Sequence, residues 1–91
     1  MSNATIKSAV YRALTNTDIS LQQRVVLALI GLHPEGWQVS TRELADLIGT
    51  AQPNVVHVIQ NLIKEGLIER QLGARKIDPS TLTLADKAVK R

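Results

Sequence analysis

Gln52, Asn54, His57, Gln60 and Asn61 crowd one short stretch of this 91-residue chain. All hydrogen-bond without needing a full charge, where a merely solvated surface usually carries Glu and Lys. Gln52 and Asn54 each offer the paired C=O and N–H that fit adenine N6 and N7, Val56 suits a thymine methyl, and His57 joins them as a candidate base contact. Groups suited to phosphate oxygens stand around them: Arg42, Thr50 and Gln60 nearby, then Arg70, Arg75 and Lys76 downstream. Plainer readings remain open. They are helix-end polarity for Gln52 and Asn54, a packing role for His57, and a solvated charged loop for the three downstream cations.

Other chemistries find little support. The chain has no cysteine, so a disulfide framework and a thiolate metal site are both excluded. His33 and His57 lie in different elements with no carboxylates at metal-ligand spacing, and His33, before Pro34, reads as a surface turn residue. The five glycines are dispersed rather than gathered in a phosphate-cradling loop, and no serine sits in a G-x-S-x-G setting. Tyr11 and Trp37 are the only aromatic residues, too few for the stacking platforms of single-strand binders. The residues therefore favour binding over catalysis, with no enzyme activity, cofactor or metal expected.

The amide-bearing residues need rigid elements to hold them, and the spacing supplies two short helices. Ser40 and Glu43 have capping-box spacing, and Val39 can staple onto Leu44. Leu44, Ala45, Leu47 and Ile48 then fall on one face, and Gly49 can take the left-handed conformation that ends a helix. A second helix starts near Gln52-Pro53, where a first-turn proline loses no hydrogen bond. Val55, Val58, Ile59, Leu62 and Ile63 form its apolar stripe, and Gly66 stops it. Two helices around a glycine turn make a helix-turn-helix, unless they are an ordinary hairpin within a small bundle.

The run from Ala45 to Ile68, A-D-L-I-G-T-A-Q-P-N-V-V-H-V-I-Q-N-L-I-K-E-G-L-I, resembles the recognition segment of bacterial winged-helix regulators of the MarR and ArsR types. Their common form is roughly L-A-x-x-L-G-x-S-Q-P-T-V-S-R-x-L-x-x-L-x-x-x-G-L-I. Ala51, Val56 and His57 stand where those regulators tend to have Ser, Ser and Arg. Leu82 to Ala88 is similar to the L-T-x-x-G-x-x that closes the wing in MarR-type proteins, with Asp86 in place of Gly. The resemblance implies a mainly α (α+β) fold: a winged helix-turn-helix with a three-helix core and a small β-hairpin wing. The helix-turn-helix falls at about residues 40–65 and the wing at about 67–84.

The remaining segments fit that order. Ser2-Asn3-Ala4 resembles the scar left by tag removal, so residues 1–4 are set aside and 5–91 form one domain. Ile6, Ala9, Val10, Ala13 and Leu14 give an amphipathic first helix from Thr5. Ser20 and Gln23 form a second capping box, opening a nearly all-apolar helix to about Leu32 that should lie at the centre. Trp37-Gln38-Val39 reads as a short strand, Leu67–Leu72 and Thr81–Leu84 as the hairpin, and Leu84 to about Val89 as a last helix with a Thr83/Asp86 cap. Leu27, Ile30, Leu44, Ile48, Val55, Ile59, Leu62 and Leu67 are the expected core.

Charge is unevenly spread. Residues 1–69 carry five Lys and Arg against six Asp and Glu, whereas Arg70, Arg75, Lys76, Lys87, Lys90 and Arg91 face only Asp78 and Asp86 in the rest. A basic last quarter suggests an anionic partner met by that end. The expectation is sequence-specific binding of double-stranded DNA by a small bacterial, phage or plasmid transcriptional regulator. Its recognition helix would enter the major groove, with a basic wing on the backbone. A homodimer through the N-terminal helix and a cytoplasmic location are expected, with no membrane partner. The alternative is a winged helix used as a protein-interaction module without DNA.

Overall fold

The computed structural model describes residues 3–75 and 78–89. The elements run α1 (Asn3–Leu14), α2 (Leu21–Gly31), β1 (Trp37–Gln38), α3 (Thr41–Ile48), α4 (Gln52–Lys64), β2 (Ile68–Gln71), β3 (Thr81–Leu84) and α5 (Asp86–Val89). This is the expected order. Both capping boxes are present: Gln23 N donates to Ser20 Oγ at 3.2 Å and Glu43 N to Ser40 Oγ at 3.0 Å, with each N3 side chain accepting from its cap amide. α1 begins at Asn3, two residues ahead of the start that periodicity suggests.

α2, α3, α4 and the wing meet in one aliphatic core. Val26 and Ile30 of α2, Leu44 of α3, Val55 and Leu62 of α4 and Leu82 of β3 are all essentially sealed from solvent. Each such side chain contributes about 1.5–3 kcal/mol by leaving water. A surface ion pair such as Arg75–Asp78 contributes about 0–1 kcal/mol, so aliphatic packing decides the fold.

The sheet is antiparallel in the order β1-β3-β2, so the return strand of the wing lies between its partners. Opposed pairs share a face. Trp37, Leu82 and Arg70 therefore lie on the core side with Ile68 and Leu84, while Gln38, Glu69, Gln71, Thr81 and Thr83 lie on the other. At the hairpin tip Gly73 passes so close to Asp78 that a Cβ there would come within 2.5 Å of the Asp78 Cβ. Only glycine fits that approach.

Several expectations are corrected. Leu47 is 62% exposed and Ile48 only half-buried, because eight-residue α3 packs chiefly on α4 along the narrow stripe of Leu44 and Ala45. Thr83 caps no helix: it pairs with Glu69 inside β3, and α5 starts later, at Asp86. β2 is shorter than expected, and Leu72 beyond it is 76% exposed. His33 is not a plain surface residue. Its ring stacks on Trp37 with centroids 4.5 Å apart, and its Nδ1–H donates to the Leu29 carbonyl at 2.9 Å. α1, by contrast, keeps its expected amphipathic character, laying Ala9 and Ala13 on α2 within the same chain with Val10 partly buried, and Tyr11 and Leu14 stay exposed.

Candidate nucleic-acid interface

The turn between α3 and α4 sets the site. Gly49 adopts φ 74° and ψ 39°, a left-handed conformation that glycine takes without a Cβ penalty, and the Gly49 and Thr50 amides both donate to the Ala45 carbonyl. α4 then opens from Ala51, whose backbone has cap geometry but whose side chain makes no cap bond.

Two threonines hold the first amides of α4. Gln52 Nε2 donates to Thr41 Oγ1 at 2.8 Å, and Asn54 Nδ2 donates to Thr50 Oγ1 at 3.0 Å. Gln22 Nε2, reaching from α2, donates to the same Thr50 oxygen at 3.3 Å. Gln52, Asn54, His57 and Gln60 are exposed along α4, and Val56 is half-buried among them. His57 faces solvent rather than the packing. Sequence reasoning missed Thr41 and Gln22. Thr41 left no sign beyond its place at the start of α3. Gln22 left none, being 28 residues from its partner.

The wing joins this face at its base. Arg70, on the core side of β2 but beyond the core, lines a cleft with Ser40 and Thr41 at the start of α3 and with Asp78. The threonine that holds Gln52 thus shares a surface with the first cation of the wing. Arg42 is exposed on α3. Arg75 at the tip is 73% exposed and pairs with Asp78 at 3.4 Å, and its backbone N–H donates to the same carboxylate at 3.2 Å. Asp78 is thus an acid among the expected phosphate contacts. Lys76, also expected to meet phosphate, lies outside the described residues.

Among the described residues, the cations of the last quarter do not form one patch. Lys87 Nζ donates to the Glu65 carbonyl at 3.0 Å, capping the far end of α4 where a cation complements the helix dipole. Arg70 and Arg75 lie on the wing instead. Among the described residues no group of three His, Cys, Asp or Glu converges, and no helix is long and apolar enough to cross a membrane.

The sequence profile described as MarR family matches residues 17–75, from the α1–α2 turn to the wing tip. A search of curated protein sequences finds no match. Among solved structures, the chain is similar to a MarR-family transcriptional regulator from Rhodococcus sp. RHA1. That likeness has a TM-score of 0.65 at 23% identity, over 92% of this chain and 58% of that one. It is also similar to a point mutant of MepR from S. aureus (TM-score 0.70, 21% identity, 96% of this chain and 63% of that one). MepR crystallised as a complex with DNA matches with a TM-score of 0.70 at 20% identity, over 96% of this chain and 69% of that one. At these identities the likeness is one of fold, and the chain spans 58% to 69% of the length of these three regulators. With the profile covering well over half of its residues, the chain belongs to the MarR family, whose members are transcriptional regulators and not enzymes.

Proposed function

We propose that this chain binds double-stranded DNA in a sequence-dependent way and regulates transcription. The observation that carries the reading is the row of exposed amides at the start of α4, oriented by threonines instead of dissolved among charges. In this reading α4 enters the major groove, where Gln52, Asn54, Val56 and His57 meet base edges. Arg42, Thr50, Gln60, Arg70, Arg75 and Lys76 hold the backbone around it. Family membership supports the regulatory role, and the similar fold of MepR, crystallised with DNA, supports the docking. The reading includes a homodimer formed through the outward side of α1, and action in the cytoplasm of a bacterial cell.

Selection of bound sequences from random duplexes at low salt tests it. Enrichment of a common motif is the expected result. One observation favours a second reading, a protein-interaction module: the Arg75–Asp78 pair thins the positive charge of the wing. A chain that retains no duplex even at low salt leaves that second reading standing.

A further inference from the structure

We infer that Gln22, on α2 and outside the helix-turn-helix, is a positioning residue for DNA recognition that acts through Thr50. The inference rests on the DNA-binding reading above. A threonine hydroxyl has two acceptor lone pairs and one proton to donate. Thr50 Oγ1 accepts from Gln22 Nε2 at 3.3 Å and from Asn54 Nδ2 at 3.0 Å, so both lone pairs are filled. Its proton is left for an acceptor, and among the described residues none takes it. Thr50 is thereby a donor-only group at the α3–α4 turn, matched to a phosphate oxygen, which only accepts, and mismatched to an exocyclic base amine.

The same bonds fix the reader beside it. Asn54 spends one N–H on Thr50 and keeps the other, together with its carbonyl oxygen. That is the donor and acceptor pair that fits adenine N7 and N6. Without Gln22 the hydroxyl regains a free lone pair, can turn its proton aside, and no longer holds Asn54 in one orientation. Gln22 touches no DNA in this arrangement. It sets the donor sense of a backbone contact 28 residues away and, through it, the orientation of a base contact.

A double-mutant cycle tests this on the full chain, using the parent's best selected duplex. Gln22→Ala is expected to weaken binding about 5-fold and Thr50→Val about 10-fold, the range of a neutral hydrogen bond. The double variant should be no weaker than Thr50→Val alone, and Thr50→Ser, which keeps the hydroxyl, should bind more tightly than Thr50→Val. The slope of log affinity against log salt should not change, because a neutral hydroxyl displaces no counterion. Losses that multiply in the double variant overturn the inference, since Gln22 then acts independently of Thr50. So does a Gln22→Ala chain that melts earlier but binds as before, which marks a purely structural tie. A parent that binds no duplex defeats the DNA-binding reading and this inference with it, whereas a binding parent with multiplying losses defeats this inference alone.

Discussion

An asparagine and an arginine hold a nucleic acid by different physics, and the two kinds of residue are separated here. Asn54 sits at the start of α4 with its amide steered by Thr50, so its contribution depends on the base it faces. Asn54→Ala should cost about 1–3 kcal/mol on the best duplex and little on random DNA, read by competition binding. Arg75 lies at the wing tip, and a phosphate it neutralises releases counterions whatever the sequence. Arg75→Ala should weaken all duplexes alike and flatten the salt plot by about 0.9. Asp78 tempers that cation at 3.4 Å. Asp78→Asn keeps an oxygen for the Arg75 amide and removes the charge, so it should tighten every duplex and steepen the slope. If Asp78→Asn sharpens sequence preference instead, the wing reads bases and the division proposed here is wrong.

The helix starts show how local chemistry sets an element. α3 has a full capping box, whereas α4 begins at Ala51 with extended backbone and no side-chain bond, although φ −76° and ψ 145° are what a capping residue needs. Ser40→Ala should therefore cost on the order of 1 kcal/mol of stability, and Ala51→Ser should gain a comparable amount by accepting from the Asn54 amide. Thermal melts of both variants check this. An unchanged Ala51→Ser melt would mean that the serine hydroxyl prefers solvent to the helix amides. Features of this range, within about four residues along the chain, were legible in the sequence: both boxes, the left-handed Gly49, the end of α4 at Gly66 and the β3 limits. Features set by packing or by distant partners were not. Leu47 matches the apolar spacing of α3 as well as Ile48 does, and only the narrow contact with α4 leaves it exposed. Thr83 has the spacing of a cap, but the ladder with Glu69 claims it. Gln22 and Thr41 carry no local mark, because each gains its role from a partner in another element. For the candidate site, the residue types on α4 were therefore readable, while the residues that aim them were not.

Size sets the last constraint. The molecule measures 34 × 26 × 22 Å, so its longest axis matches one turn of duplex, about 34 Å. A single copy can thus address one major-groove face and little more, which favours two copies on a two-fold site. α1 is suited to join them. Its small residues, Ala9 and Ala13, lie against α2, with Gly31 under Ala9, and the larger Tyr11 and Leu14 remain 70% and 46% exposed. Folding thus uses Ala9, Ala13 and, in part, Val10, and leaves the bulkier Tyr11 and Leu14 available. Replacing Tyr11 and Leu14 together by Glu should shift the chain toward monomer in light scattering without lowering the melting temperature of dilute protein. Binding to a duplex with two half-sites about one turn apart should fall steeply, while binding to an isolated half-site should hold, because the α4 face is untouched. Equal losses on both duplexes would show that α1 supports the fold of the reading head rather than its pairing. A double variant that still scatters as a dimer would move the interface to another surface, with exposed Leu21 and Leu32 of α2 the next to test.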